Sequence, residues 1–368
     1  MEEEELAEDI SLGSNTFQCS GCGAALKYKP GTTSLHCDYC GADTEIDVQA
    51  VDEVVELDFK EYAHDLEEFN IKATKVVSCR KCGAESTFGE NMKSMDCPYC
   101  SQPLIEEDIH EERLIQPSYL LPFGFSDDEV NGHLSSWLRK RWFAPNKLKK
   151  RALCSDKVQG VYFPCWTYDA NTTTSYTGER GTNYTVTVGS GKNRRTVVRT
   201  RWTYCSGRVK LFFDDVMVPA SNMIQSTVLK KIENWDMKNL VEADNRFLSG
   251  FITEKYVLNL QQGFDRAKAI MAPEIDRAIR RDIGGDHQRI SSQNTTYIGV
   301  KFKLILLPVY MSSYTYKNKL YHFFVNGRTG RITGDRPYSV IKIVSAIVCG
   351  LAAIAAIWIW LQENGYLN

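Results

Sequence analysis

The chain lacks every short motif that would announce a familiar catalytic or nucleotide-binding site. Its one Gly-Lys pair, Gly191-Lys192, is followed by Asn193 and preceded by Val186 where the first glycine of a GxxxxGK[ST] loop belongs, which excludes the usual P-loop NTPase or helicase. No HExxH, GxSxG or Rossmann glycine pattern occurs, and the six histidines, at 36, 64, 110, 133, 287 and 322, are well separated. No catalytic residue is assigned, and the expectation is a protein that is not an enzyme. The start, MEEEELAEDI, has neither a basic n-region nor an apolar h-region, so a secretory signal and an oxidised disulfide framework are not expected.

What is present is cysteine in a strict pattern. Cys19-x2-Cys22 is separated from Cys37-x2-Cys40 by 14 residues, and Cys79-x2-Cys82 from Cys97-x2-Cys100 by 14 as well. Four thiolates at that spacing can close a tetrahedral shell on one Zn2+, two from each knuckle. Glycine follows three knuckles (Gly23, Gly41, Gly83), where a positive φ is the usual need, and Ser101 follows the fourth. Two structural Zn2+ ions are therefore expected. Each closed shell would contribute on the order of 10–16 kcal/mol to folding a module too small to build its own core. Cys154, Cys165, Cys205 and Cys349 are scattered and read as buried apolar residues.

Long apolar runs are absent until the C-terminus, where Ile343–Leu361 provides 19 residues without a charge. At 1.5 Å per residue this spans about 28 Å, close to a bilayer's hydrocarbon core. Trp358 and Trp360 sit near its far end, and Arg328, Arg331, Arg336 and Lys342 lie on the near side. That asymmetry predicts a single-span tail anchor with the N-terminal region in the cytosol.

Net charge of one sign is also missing, because 44 Lys/Arg nearly balance 46 Asp/Glu. The balance hides a gradient. Residues 1–113 hold 26 acidic and 9 basic side chains, a net of −17, and residues 114–368 hold 20 and 35, a net of +15. Phosphate backbones demand clustered cations, so the ribbons and their acidic linker are poorly suited to nucleic acid, which is not an expected partner of the chain, and protein–protein contact is expected of the ribbons. The best cationic groups are Arg139, Lys140 and Arg141 with Lys147, Lys149, Lys150 and Arg151, and a second group of Lys192, Arg194, Arg195, Arg199 and Arg201. In a tethered domain such groups could meet anionic lipid of the bilayer, at about 1 kcal/mol each.

The expected fold class is multidomain: two small β zinc ribbons, an α+β domain and one C-terminal transmembrane helix. The boundaries are an acidic tail at 1–15, ribbons at 16–48 and 76–106, and an acidic helical linker at 49–75 between them. The α+β domain runs over 107–338, the membrane helix over 341–361, and a short tail over 362–368. Ser126 with Glu129 predicts a capping box opening a helix with Val130, Leu134, Trp137 and Leu138 on one face. A second helix is expected over about 253–283, broken or kinked at Pro273. Short strands are expected at Thr185–Val188, Thr196–Thr203 and Arg208–Phe213, with turns at 189–191, Lys317-Asn318 and Asn326-Gly327. Asp214-Asp215 reads as a strand-end turn. Similar strand-to-helix and strand-to-turn segments suggest two repeats, 115–225 and 245–335.

Taken in order, the tandem CxxC ribbons, ELDFKEY, LPFGFSDDEV, FFVNGRTGRITGDRP and the terminal hydrophobic helix resemble the bacterial YdjG-like family of zinc-ribbon membrane proteins. The resemblance covers nearly the whole chain. It implies a membrane adaptor acting beside SPFH-domain or PspA-like proteins in envelope or membrane stress. The competing expectation is a membrane-tethered protein whose ribbons bind nucleic acid or the transcription machinery.

Overall fold

The computed structural model describes residues 17–48, 54–64, 71–87, 95–145, 158–224, 226–316, 319–335 and 338–364. Among them the protein is mostly sheet, with a few helices and one C-terminal apolar helix. The expected acidic tail, Lys147, Lys149, Lys150, Arg151, Cys154 and the Lys317-Asn318 turn lie outside the described residues.

Ribbon 1 is a small antiparallel sheet of β1 (Lys27–Tyr28), β2 (Ser34–His36) and β3 (Asp43–Glu45). The segment expected as a helical linker is mostly something else. β4 (Leu57–Asp58) pairs with a later strand, only Phe59–His64 is helical, and residues 71–75 already belong to β5 (Ile71–Ser78). The Asp58 carboxylate accepts from the N–H groups of Lys60 and Glu61 and so starts this short helix. Its Phe59 and Tyr62 are buried against Tyr168, Phe264 and Phe302, so it packs on the central sheet rather than on a ribbon. Ribbon 2 adds β6 (Glu85–Thr87), β7 (Met95–Asp96) and β8 (Pro103–Leu104), and β9 (Ile109–Ile115) follows.

The body is built from two strand–helix–strand units. In the first, β10 (Tyr119–Leu120) leads to a helix over Asp127–Arg139 and then to β11 (Gln159–Val188), which turns back as β12 (Arg195–Pro219). After β13 (Val241–Glu242), the second unit runs β14 (Ile252–Glu254), a helix over Leu260–Ile283 and β15 (His287–Tyr316), which returns as β16 (Lys319–Asn326) and β17 (Ile332–Gly334). β11 and β15 lie antiparallel at the centre. β10 runs parallel to β15, just as β14 runs parallel to β11, giving the two units a two-fold-like arrangement. Both helices open with a capping box, Ser126 with Glu129 and Asn259 with Gln262.

The three short strands expected between 185 and 213 are parts of two long ones. β11 has 30 residues, β12 has 25 and β15 has 30, so at about 3.3 Å per residue the longest have a contour near 100 Å. No proline falls between Pro164 and Pro219, leaving the hairpin ladder uninterrupted. The helix Leu260–Ile283 covers one face of this blade, burying Phe264, Ala267, Met271, Ile275, Ile279 and Ile283. It begins later than expected, because residues 252–254 pair as β14, and it continues through Pro273. Burial of its apolar face, roughly 1.5–3 kcal/mol per large side chain, outweighs the roughly 3 kcal/mol that an interior proline costs. Asp214-Asp215 is likewise no strand end: it forms a bulge inside β12, with Asp215 at φ 48.

Candidate metal centres

The four knuckles share one backbone design. The first cysteine's N–H donates to the carbonyl of the residue five positions on (Cys19 to Ala24, Cys37 to Ala42, Cys79 to Ala84, Cys97 to Gln102), at 2.8–2.9 Å. Its own carbonyl accepts from the N–H of the residue after the second cysteine, again at 2.8–2.9 Å. That residue has positive φ in each case: 73° at Gly23, 77° at Gly41, 73° at Gly83 and 54° at Ser101. Ser101 therefore holds the same turn at a cost of about 1–2 kcal/mol that glycine avoids.

These turns bring the eight cysteines together as two sets of four, and within each set the sulfurs lie within 4.8 Å of one another. Cys19–Cys40 and Cys22–Cys37 are 3.5 Å apart, and Cys79–Cys100 and Cys82–Cys97 are 3.6 and 3.5 Å apart. A tetrahedron of sulfurs about 2.3 Å from a central cation has edges of about 3.8 Å, so both sets fit a four-coordinate metal ion with no open position. Thiols this close titrate as a set. The N–H groups of Cys40 and Tyr39 pull Cys37 down to about 6, and those of Gly21 and Cys22 lower Cys19. At Cys79 burial is outweighed by the N–H groups of Cys82 and Lys81, leaving it at about 7, while burial pushes Cys82 up to about 11. A cation would remove this conflict by accepting an electron pair from every sulfur. His36 is no substitute ligand, because its Nδ1 pairs with the Asp43 carboxylate at 2.5 Å.

Neither ribbon stands apart from the body. Leu26, Tyr28 and Leu35 share a core with Leu120, Phe123, Tyr162 and Tyr310, and the Tyr28 ring packs edge-on against Phe247 at 5.0 Å. In ribbon 2, Ala84, Tyr99 and Leu104 pack with Phe163, Ile232 and Val309, and β6 pairs with β14. Tyr99, inside the last knuckle, donates its hydroxyl to the buried Glu254, which also accepts from Ser221. Burial pushes the Glu254 carboxyl up to about 7 against the pull of those two donors. Lys255 bridges Glu85 at 3.0 Å and Glu112 at 2.5 Å, a second tie across the same boundary.

Of the remaining described cysteines, Cys165 is buried as expected, whereas Cys205 is half-buried under the helix Leu260–Ile283 and Cys349 is exposed on the apolar helix. That helix, Val340–Glu363, is long and apolar enough to cross a membrane, and its apolar length is not buried against the body. Its start is tied to the body, since Ser339 N–H donates to Phe143 and the Lys342 ammonium to the carbonyls of Trp142 and Ala144. Trp142, Phe143 and Tyr338 are exposed around this point. Arg139, Lys140 and Arg141 close the adjacent helix, with Arg141 over the Trp137 ring at 4.8 Å. Arg194 and Arg195 sit instead at the tip of the β11–β12 hairpin, so among the described residues the two cationic groups are not brought together.

No motif foretold the buried charge network of Glu56, Asp169, Asp215 and Lys303. Lys303, only 4% exposed, reaches Glu56 at 2.8 Å and Asp215 at 2.6 Å, and so supplies the cation that the three carboxylates need. Burial and the bond to Glu56 raise Asp169 to about 7. The only available signal was a lysine inside the otherwise apolar run Phe302–Leu307. A cavity of about 370 Å³, mostly apolar, opens at the end of β12, and Ser221 on its wall is held by Glu254.

No family model matches the chain, and no solved structure matches it. The chain is similar to a Bacillus subtilis (strain 168) protein named "Uncharacterized protein YdjG", 23% identical over 334 residues that span 90% of this chain and 92% of that one. The likeness thus runs almost end to end.

Proposed function

We propose that this chain is a non-enzymatic, tail-anchored membrane adaptor, with two structural Zn2+ ions and its N-terminal region in the cytosol. The observation that carries this reading is the union of two closed four-sulfur sites with one uncovered apolar helix, all on a single packed body. Four cysteine sulfurs at tetrahedral spacing favour Zn2+ over harder cations. Trp142, Phe143 and Tyr338 at one end of the apolar helix, with Trp358 and Trp360 at the other, suit the two interfaces of a bilayer. Arg139, Lys140 and Arg141 beside the helix start would then meet anionic headgroups.

Ribbon 1 presents its knuckles outward, and Tyr39, between Cys37 and Cys40, is 84% exposed. It is the natural anchor for a protein partner, which the family resemblance suggests is SPFH-domain or PspA-like. Because the ribbons share the core, deleting them would disrupt the body, and a surface change is the cleaner test. Affinity purification from gently solubilised membranes should recover such a partner with the full chain and lose it with Tyr39→Ala. Metal analysis should find two zinc ions per chain. Purified chain without zinc, or no protein partner above the detergent background, would overturn the adaptor reading.

A further inference from the structure

The helix Leu260–Ile283 covers one face of the blade, and the opposite face is open: Tyr204 is 69% exposed, Phe212 62% and Ile298 53%. Strand alternation puts Trp202, Tyr204, Arg208, Lys210 and Phe212 of β12 in one row on that open face, while Cys205, Val209, Leu211 and Phe213 point to the helix. The register sets Asn171, Thr173 and Ser175 of β11 beside Phe212, Lys210 and Arg208. Thr296 and Asn294 of β15 lie across from Thr173 and Ser175. The face thus carries exposed rings and cations along one strand, flanked by rows of uncharged hydrogen-bonding side chains.

The charged side chains of the row between Trp202 and Phe212 are Arg208 and Lys210, both cations, while Arg195, Arg199 and Arg201 fall on the other parity and Asp214 follows Phe212 at the end of the row. Among the described residues neither Arg208 nor Lys210 has a carboxylate partner. On β11, Glu179 is held by Arg289 at 3.4 Å, and Arg289 in turn stacks on Trp202 at 3.8 Å. Tyr204 and Phe212 are eight residues apart, about 26 Å along the strand, with Arg208 and Lys210 between them.

We propose that this open face binds single-stranded nucleic acid, with bases stacked on Tyr204 and Phe212 and phosphates held by Arg208 and Lys210. Rings flanking a pair of cations on a sheet face provide what unpaired bases and their backbone need, and the Asn/Thr/Ser rows can answer sugar and base edges. A duplex hides its base faces from such rings. A bilayer surface would strip water from the same polar rows without replacing their hydrogen bonds. The site is separate from the ribbons, to which the adaptor reading assigns protein contact, so either can fail alone.

The test uses the full chain in zwitterionic nanodiscs and a labelled oligo-dT of about 12 nucleotides. Expected is binding that favours the single strand over its duplex and weakens between about 50 and 200 mM salt. Tyr204→Ala and Phe212→Ala should each lower affinity about 5- to 150-fold, corresponding to roughly 1–3 kcal/mol per stacked base. Arg208→Gln should lower the salt slope by about one. Tyr39→Ala should leave oligonucleotide binding unchanged. All of these side chains are on the surface, and the intrinsic tryptophan spectrum checks folding. Absence of binding at the lower salt, equal affinity for duplex, competition by polyglutamate at equal charge, or wild-type affinity in both ring variants would each overturn the assignment. So would phosphatidylserine vesicles that bind through Tyr204 and Phe212 while the oligonucleotide does not.

Discussion

Glu254→Gln is expected to stabilise the protein at pH 8 and to leave it nearly unchanged at pH 5. The carboxyl is 3% exposed and bonded by Tyr99 and Ser221, and burial raises it from 4.5 to about 7. In the unfolded chain the same group ionises near 4.5. An acid whose folded value is the higher one favours the folded state most below the unfolded value, and that contribution fades as pH rises towards 7. At about 1.4 kcal/mol per pH unit, a difference of 2.5 units corresponds to roughly 3 kcal/mol lost between pH 4.5 and 7. Glutamine mimics the protonated acid in shape and has nothing to ionise. Thermal melts of both proteins in the same detergent, from pH 5 to 8, should therefore start together and separate. At about 2 °C per kcal/mol the variant should melt about 6 °C higher at pH 8. The metal sites add the same pH dependence to both proteins, so the difference isolates Glu254. Parallel curves, or a variant less stable at pH 8, would refute the reasoning.

Ser101→Gly removes the one side chain that sits at positive φ in a knuckle and should raise stability by about 1 kcal/mol, read from the melting temperature; a loss would mean that the serine does something beyond the turn. Cys37→Ser should drop bound metal from two ions per chain to one by elemental analysis. Because ribbon 1 shares its core with Tyr162 and Tyr310, that variant should also lower the main thermal transition rather than create a separate small one, while membrane insertion persists. Lys303→Met leaves Glu56, Asp169 and Asp215 without their cation and should cost about 3–5 kcal/mol at pH 8, with a smaller loss at pH 5, where protonation relieves the carboxylates.

The two four-sulfur sites were legible because their cysteines come as CxxC pairs, and each such turn is local. The capped helix at Ser126 was legible for the same reason, since cap and Glu129 are three residues apart. The blade was not. Glycine is the commonest local signature of a turn, yet Gly178, Gly181 and Gly207 all lie inside long strands. Gly207 is there for close approach: a Cβ on it would come within 2.6 Å of the Tyr176 hydroxyl and 2.7 Å of Asp282. That demand comes from the helix Leu260–Ile283, more than 50 residues on, and no local pattern carries it. The charge network failed for a like reason. Glu56 and Lys303 are 247 residues apart, and only the pairing of β4 with β15 brings them together.

The length of the central strands separates two demands that a small domain would have to reconcile. The apolar helix is tied to residues 142–144, and Ala144 packs with Phe323 of β16, beside the start of β11. The tip of the β11–β12 hairpin, with Arg194 and Arg195, lies at the other end of a strand 30 residues long. A bilayer bound at the first end leaves about 30 Å of the β12 face, from Trp202 to Phe212, free of the anchor and of both ribbons. An exposed, twisted ribbon of that length with unpaired edges invites aggregation, and native proteins blunt such edges with cations. Edge protection alone would account for Arg199 or Lys210. It does not account for Tyr204 and Phe212, whose exposed rings increase the hazard that the cations reduce. Rings kept at that cost are better explained by something that stacks on them.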